Sequence, residues 1–129
     1  MKLFIAVKMT THSDEIWIDP TTGLIWQVKD AGSMTWSQAM QYAENLELAG
    51  HSDWRLPEVE ELESLMGRAK RNRTARRKIP LNIKSLFYWS SSTYSNHTDY
   101  AWLVDFSDGA AGSSKKLYTG CVRCVRGGQ

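Results

Sequence analysis

Two cysteines three residues apart, Cys121 and Cys124, have the spacing in this sequence that most directly suggests chemistry. A C-x-x-C pair can bind a metal ion or undergo thiol–disulfide exchange. A metal site needs two further Cys or His ligands, and the three histidines are scattered along the chain. Val122 and Val125 indicate a strand, on which residues three apart face opposite sides. We therefore expect two separate thiols, no metal site and no cofactor.

Two polar pairs near the C-terminus, His97 with Asp99 and Asp105 with Asp108, could act as metal ligands or as acid–base groups. Calcium takes about six to eight oxygen ligands, and neither pair lies in a segment with that density of donors. Acid–base catalysis needs a group whose pKa is tuned to the reaction, and no such activated base is evident. The sequence therefore favours binding over catalysis, and we expect no catalytic residue.

The last forty residues have the composition of a binding surface. Short apolar segments alternate there with stretches of Ser, Thr, Asn, Asp, Gly and Tyr. Hydroxyl, amide and phenol groups make adaptable contacts with ligands. Two such stretches, residues 92–100 and 107–120, are expected to be loops. From these loops we predict the following ligand-binding residues: Tyr94, Asn96, His97, Asp99, Tyr100, Asp108 and Tyr118.

A block of positive charge lies in the middle of the chain. Seven Lys or Arg residues occur between positions 68 and 78 without an acid among them, although the whole chain carries only +2. Such a block can bind sulfate or phosphate groups, or it can be a solvated loop, and both interpretations stay open. No aromatic residue interleaves it, which disfavours nucleic acid as a partner. The candidate anion-binding residues are Arg71, Arg73, Arg76, Arg77 and Lys78.

The first part of the chain predicts a hairpin followed by a helix. Residues 16–18 and 24–28 are strand-like and flank a turn that contains Pro and Gly. Thr35 and Gln38 have the spacing of a capping box, which indicates where the first helix begins. Gly50 is the expected cap at the end of that helix.

A second helix and three further strands complete the predicted order. The helix is expected to begin at Pro57 and to end at Gly67. Strands are expected at residues 88–91, 101–106 and 121–125. A hairpin, two helices and then only strands is an α+β arrangement, and the absence of a linker indicates one domain over residues 1–129.

Six short motifs occur in one order along the chain and resemble those of a known family. They are Asp19-Pro-Thr-Thr-Gly-Leu-Ile-Trp26, Trp36-Ser-Gln-Ala39, Asp53-Trp-Arg-Leu-Pro57, Glu61-Leu62, Tyr88-Trp-Ser-Ser-Ser92 and Val122-Arg-Cys-Val-Arg126. Each motif is weak alone, but the set is jointly specific. The sequence resembles the C-terminal domain family of collagen-like bacterial adhesins, the Lcl C-terminal domain family, over residues 16–126.

The resemblance implies a C-type-lectin-like fold of class α+β. In that fold two helices flank a small, twisted, mostly antiparallel sheet, and long loops present the ligand surface. The resemblance also implies a non-enzymatic binding module, because in the adhesins this domain attaches to sulfated glycans. The expected partner is therefore a glycan, sulfated or not, or a protein. Trp54, Arg55, Trp89 and Arg123 are expected to hold the loops to the helices rather than to contact the ligand.

The sequence departs from the family pattern at three points. Members often carry a cysteine near Tyr42 that can pair with the one at position 124, and this partner is missing here. Its absence fits a reducing compartment. Glu58 replaces the usual small polar residue after Pro57, so a poorer helix cap is expected. No collagen-like region precedes the motifs, so we expect a monomer or a homo-oligomer, with a trimer as one alternative.

Two other functions fit parts of the sequence. The lectin-like fold is similar to that of the variable proteins of diversity-generating retroelements, in which mutated Asn codons yield residues of the types found at 93–100, 107–114 and 117–121. A receptor-binding or display protein of that kind is one alternative, although exposed loops favour the same residues. The fold is also related to that of formylglycine-generating oxidases, which use paired cysteines. In this sequence only Cys121 and Cys124 would support an oxidase function.

The start of the chain gives an expectation about location. Residues 1–9 look like a secretory leader, but their apolar run is five residues, 3–7, where about 7–15 are needed. We expect no signal peptide and a cytoplasmic location as encoded, with the cell surface or a virion as alternatives. No apolar stretch approaches the roughly 20 residues of a membrane span.

Overall fold

The computed structural model describes residues 14–71, 80–83 and 86–127. Within these ranges the chain forms two helices and eight strands, so the predicted α+β class is confirmed. The elements in chain order are β1 (Ile16–Ile18), β2 (Ile25–Gln27), β3 (Ser33–Thr35), α1 (Trp36–Asn45), α2 (Val59–Arg71), β4 (Phe87–Thr93), β5 (Tyr100–Asp105), β6 (Ala110–Lys115), β7 (Thr119–Cys121) and β8 (Val125–Arg126).

The strands form two sheets. The smaller sheet has the order β1-β2-β8, and the larger has the order β3-β7-β4-β5-β6. Only the β4–β7 pair is parallel; the other described pairs are antiparallel. The predicted hairpin is therefore confirmed, with Trp17 opposite Trp26. Because β8 pairs with β2, the end of the described chain returns to its beginning.

Residues on the two faces of the larger sheet belong to two separate hydrophobic clusters. Neighbouring residues of β5 alternate between them, because successive side chains on a strand point to opposite faces. The cluster on the α2 side includes Val104 and Phe106, together with Leu62 and Leu65. The cluster on the α1 side consists of Ala39, Ala43, Trp54, Leu56, Trp89, Ala101, Leu103, Val122 and Cys124. Each helix thus covers one face, as a flanking arrangement requires.

The first helix begins as predicted and ends earlier. The Thr35 hydroxyl accepts a hydrogen bond from Gln38 N–H, and the Gln38 side chain accepts one from Thr35 N–H. The prediction that Gly50 caps the helix was wrong, because α1 ends at Asn45. Gly50 lies instead in a tight turn in which Leu48 and His51 exchange two backbone hydrogen bonds of 3.0 Å.

Ala49 occupies a backbone conformation that suits it poorly, with φ of 54° beside Gly50 at 81°. Two successive residues with positive φ make the primed turn that closes tight hairpins, and Asn is far better tolerated there than Ala. We expect Ala49→Asn to raise the free energy of unfolding by about 0.5–1 kcal/mol. Urea denaturation followed by Trp fluorescence measures this change. Ala110→Asn, at an exposed strand position with ordinary φ, is the control and should give no gain.

The second helix is displaced from its predicted limits at both ends. It begins at Val59, two residues after Pro57, and it continues through Gly67 to Arg71. Pro57 lies fully buried before the helix, and the Glu61 carboxylate accepts the Glu58 N–H at 2.9 Å in place of a small capping residue. A glycine costs a helix only about 1 kcal/mol relative to alanine, which the packing of Leu62 and Leu65 offsets.

The C-terminal segment contains more strand than predicted. Residues 107–120 are not one loop, because they include the six-residue strand β6, paired along its whole length with β5. Ala, Gly and Ser have little intrinsic preference for strands, so only the pairing with β5 identifies this one. The strand predicted at 121–125 is interrupted at 122–124, and the short strand β3 was not predicted. None of the described helices is both long enough and apolar enough to cross a membrane.

Candidate functional site

Two turns meet at one end of the larger sheet. The first, residues 94–100, connects β4 to β5, and the second, residues 116–118, connects β6 to β7. They are adjacent because Tyr100 pairs with Lys115 at this end of the β5–β6 ladder. The backbone N–H of Lys116 also donates to the carbonyl oxygen of Asp99 at 2.8 Å. We call these two turns, residues 94–100 and 116–118, the loop surface.

The 94–100 turn is held by its own backbone and by stacked rings. Tyr94 N–H donates to Tyr100 O at 2.9 Å, and Tyr100 N–H donates to His97 O at 2.8 Å. The rings of Tyr94 and His97 are nearly parallel, at 4°, and Tyr94 meets Trp102 edge-on with centroids 4.9 Å apart. Edge-to-face aromatic pairs of this kind stabilise the arrangement by about 0.5–1.5 kcal/mol beyond the area they bury. The turn is therefore a pre-organised surface.

Lys116 fastens the two turns to the rest of the domain. Its ammonium group donates to the Thr93 hydroxyl at 3.0 Å and lies 4.3 Å from the centroid of the Trp36 ring, a cation–π contact. Its carbonyl oxygen accepts the N–H of Trp36 at 3.0 Å. The indole N–H of Trp36 in turn donates to Ser90 O at 2.9 Å. Trp36, the first residue of α1, thus holds Lys116 and the turn that contains it in place.

The most exposed apolar groups of the described chain are at the tip of the second turn. Leu117 is 84% exposed and Tyr118 is 59% exposed. Tyr118 was predicted as a binding residue from its type. Leu117 and Lys116 were missed, because a Leu after two Lys residues carries no signal in a single sequence. The relevant signal is an apolar side chain left in water, and exposure becomes known only from the fold.

The structure brings six of the seven predicted ligand-binding residues to the loop surface. They are Tyr94, Asn96, His97, Asp99, Tyr100 and Tyr118. Asp108 is not among them, because it lies in the turn at the other end of the β5–β6 ladder. Five residue steps along β5 separate the two ends by about 17 Å. The contribution of each of the seven residues to binding stays a prediction.

Asp108 and its neighbour Asp105 act locally on the turn that joins β5 to β6. The Asp108 carboxylate accepts the Ala110 N–H at 2.9 Å. The hydroxyl and the backbone N–H of Ser107 both donate to Asp105 and hold the pKa of that carboxyl below its usual value. Such side chain–backbone bonds are typical of turns.

The candidate anion-binding residues cannot be placed in the same way. Arg71 is the last residue of α2. The other four, Arg73, Arg76, Arg77 and Lys78, lie outside the described residues. Their role in binding anions stays a prediction.

The sequence that forms this loop surface and its support matches a known protein family. Residues 15–126 match the model of the Lcl C-terminal domain. The chain belongs to the Lcl C-terminal domain family. The match covers most of the chain, including both sheets, both helices and the loop surface. No curated protein matches the sequence.

Membership of the Lcl C-terminal domain family indicates an adhesin-like domain, which is compatible with a non-enzymatic binding module. Two helices and mostly antiparallel sheets are the arrangement expected from the family resemblance. The more specific prediction, a C-type-lectin-like fold, stays a prediction.

Two tryptophans of the Lcl motifs, Trp54 and Trp89, hold backbone segments in place, as expected from the sequence. Trp89 is fully buried, and its indole N–H donates to Met34 O at 3.0 Å. The indole N–H of Trp54 donates to Leu48 O at 3.2 Å. Both rings belong to the cluster under α1. They fix β3 and the 48–51 turn and do not reach the loop surface.

Two of the three arginines of the Lcl motifs, Arg55 and Arg123, also hold backbone segments together. Arg123 is buried and donates to the carbonyl oxygens of Gln27 and Asn82 at 2.7 and 3.0 Å. Arg55 forms a bidentate pair with Glu61, at 2.8 and 2.9 Å. Burial alone would raise the pKa of Glu61. The hydrogen bonds from Arg55 and from Glu58 N–H, with the charge of Arg55, outweigh burial, so this pKa lies below its usual value.

The two cysteines of this Lcl domain are not joined by a disulfide, and both are buried, in different hydrophobic clusters. Cys121 belongs to the cluster under α2 and Cys124 to the cluster under α1, so the predicted separation is confirmed. Burial raises the pKa of Cys124 to about 12. A thiol of such a pKa is not ionised near neutral pH, although oxidase and metal chemistry need the thiolate. In the described part of the chain, no three His, Cys, Asp or Glu side chains form a metal-binding group.

Proposed function

We propose that this domain is a non-catalytic binding module that holds its ligand at the loop surface. The observation that carries the proposal is the position of Leu117 and Tyr118. They are largely exposed on a turn whose backbone is bonded to the rigid 94–100 turn through Lys116 and Asp99. Solvent-exposed apolar groups on a pre-organised support are typical of recognition surfaces, because little side-chain or loop entropy is lost on binding.

The ligand that we propose is a glycan or a protein. Tyr rings provide rigid amphipathic contact area, while Asn96, His97 and Asp99 offer adaptable hydrogen-bonding groups beside them. All three of these polar residues are exposed. A sulfated glycan would gain further from Lys115, which is exposed at the same end of the sheet.

A glycan array that includes sulfated and unsulfated chains, read at two salt concentrations, tests this proposal. We expect Leu117→Ala and Tyr118→Ala each to weaken binding by about tenfold or more, as loss of an exposed anchor residue does. Binding through sulfate should fall steeply with added salt, because exposed charges are screened. Salt-insensitive binding would remove the electrostatic part and leave an uncharged glycan or a protein as ligand.

Leu86→Ala provides the matched control. Leu86 is also an exposed leucine, at 50%, but it lies at the other end of the sheet, where its carbonyl oxygen accepts the Phe106 N–H. This variant should bind as the unaltered domain does. Equal losses for Leu86→Ala and Leu117→Ala would contradict a ligand site at the loop surface.

The alternative of a diversified retroelement protein requires its variable residues to be exposed, and only some of the candidate positions are. Residues 95–99 and 117–119 are all exposed, as diversified residues would be. Gly120 and Cys121 are buried, and a Cβ at position 120 would lie 2.7 Å from Phe87 Cε2. Diversification at these two positions would disrupt the core. The neighbouring DNA decides the matter: a reverse transcriptase gene and a near-copy of the repeat must be present, and their absence ends this alternative.

A further inference from the structure

A second recessed site lies away from the loop surface, between α1 and the segment that leads into α2. It is a cleft of about 420 Å³. This volume is within the range of about 300–1,000 Å³ usual for small-ligand sites. Met40 and Glu44, one helical turn apart on α1, form one wall, and Trp54, Leu56 and Glu58 belong to the other.

The cleft combines an apolar floor with negatively charged rims. Ala43, Trp54 and Leu56 are buried, whereas Met40 remains 37% exposed although it is a large apolar residue. Glu44, on α1, and Glu58, just before α2, are both exposed and both line the cleft. In the residues that the structure describes, neither carboxylate takes part in a salt bridge, in a chain that contains 16 Lys and Arg residues.

Arg55 is the one cationic residue among the described residues that line the cleft, and its guanidinium is hydrogen-bonded to Glu61 and to Gly127. One guanidinium nitrogen donates to Glu61 Oε1, and the other donates to Glu61 Oε2 and to Gly127 O at 2.8 Å. Arg55 therefore offsets the charge of Glu58 only in part, and Glu44 has no ion-pair partner among the residues that the structure describes. Two exposed carboxylates above an apolar floor, only one of them partly offset by a neighbouring cation, suit a ligand that is apolar along its stem and cationic at its end.

The walls of the cleft are fixed by the fold rather than by the ligand. Ser91 N–H donates to Pro57 O at 2.9 Å and ties the α2 lead-in to β4. The indole N–H of Trp54 is bonded to Leu48 O, which fixes the ring under α1. A ligand would therefore enter a site that needs little rearrangement.

We propose that this cleft binds the side chain of a lysine from a partner protein. The four-carbon stem lies on Met40, Trp54 and Leu56, and the ammonium group lies between Glu44 and Glu58. This site is separate from the loop surface and does not depend on the function proposed there.

The experiment uses Nα-acetyl-lysine methylamide as the probe, titrated into the ¹⁵N-labelled protein. The norleucine analogue, which has the same carbon chain without the charge, is titrated in parallel. We expect the lysine probe to shift the indole N–H resonance of Trp54 and to bind at least about threefold more tightly than the norleucine probe, a gain that added salt reduces.

Neutral variants then test the assigned carboxylates. Glu44→Gln and Glu58→Gln should each weaken lysine binding by about two- to fivefold, the effect of an exposed ion pair, and should leave norleucine binding unchanged. Glu63→Gln is the matched control, because Glu63 is exposed on α2 and does not line the cleft. Circular dichroism checks that all variants remain folded.

Three results would overturn the proposal. They are the absence of a Trp54 shift, equal affinity for the lysine and norleucine probes, and equal losses of lysine binding in Glu63→Gln and the two cleft variants.

Met40→Ala gives a further check on the apolar floor of the cleft. It should weaken both probes, because both carry the same apolar stem. Tyr118→Ala should change neither probe's affinity, which keeps this result distinct from the outcome at the loop surface.

Discussion

Replacing Arg123 by leucine is expected to lower the free energy of unfolding by about 3–5 kcal/mol, the usual cost of breaking a buried charged network from one side. Arg123 is 2% exposed, and its guanidinium donates to the carbonyl oxygens of Gln27, Val28 and Asn82. Its side chain also lies 3.8 Å from the Asp30 carboxylate. Leucine would fill much of the space but would leave these acceptors without a donor.

The physical reason lies in what Arg123 connects. It comes from the irregular segment between β7 and β8, and its acceptors belong to the end of β2 and to residues 80–83 before β4. The planar group also lies 5.9 Å from the centroid of the Tyr88 ring. Loss of this one side chain should therefore loosen the contact of residues 80–83 with the end of β2 most, because the segment between β7 and β8 is also bonded to Gln27 through the backbone of Cys124.

Thermal unfolding of Arg123→Leu by circular dichroism measures the effect, and a shift of about 10–20 °C is expected for a domain of this size. Hydrogen exchange should show the largest loss of protection at residues 80–83. Arg123→Lys is the control: it keeps the charge but not the forked geometry, so its stability should be intermediate. A loss below about 1 kcal/mol for the leucine variant would contradict a structural role.

Replacing Gly120 by alanine is expected to cost about 3 kcal/mol, at the upper end of the range for overpacked sites. A Cβ at this position would lie 2.7 Å from Phe87 Cε2 and 2.9 Å from Trp89 Nε1. Neither ring can move freely. Trp89 is fully buried with its indole N–H bonded to Met34 O, and Phe87 packs edge-on against it at 6.0 Å.

Gly112→Ala is the matched control for Gly120→Ala. Gly112 also lies in a strand, but a Cβ there would meet only Leu103 Cδ1, at 4.0 Å, which is an ordinary contact. Neither glycine has a positive φ, so the comparison isolates the steric effect. We expect Gly112→Ala to be neutral or slightly stabilising, because alanine restricts the unfolded chain. Similar urea midpoints for the two variants would contradict this account of Gly120.

Some features of the domain follow from local sequence because the interactions that create them are local. The hairpin at residues 16–28 needs only a turn with Pro and Gly between two apolar segments, and it forms as predicted. The capping box of Thr35 and Gln38 spans one helical turn and also forms. The prediction that Cys121 and Cys124 are separate thiols is also correct, although it assumed a continuous strand and residues 122–124 interrupt it.

Other features were mispredicted where distant contacts override local preference. Gly67 should end a helix by propensity, but α2 continues past it because Leu62 and Leu65 pack on the sheet. Residues 110–115 have a loop composition, and pairing with β5 makes them a strand. Gly50 would cap a helix, but the exchange of hydrogen bonds between Leu48 and His51 places it in a turn.

The sequence by itself determined the class of the fold, the family and the residue types suited to binding. It did not determine which of those residues share a surface. The register of β5 against β6 gathers Tyr100 and Tyr118 at one end and sends Asp108 to the other. The same tertiary packing leaves Leu117 in water and brings Glu44 and Glu58 to one cleft. Exposure and proximity between distant residues depend on how all the elements pack together, so only the tertiary structure could decide them.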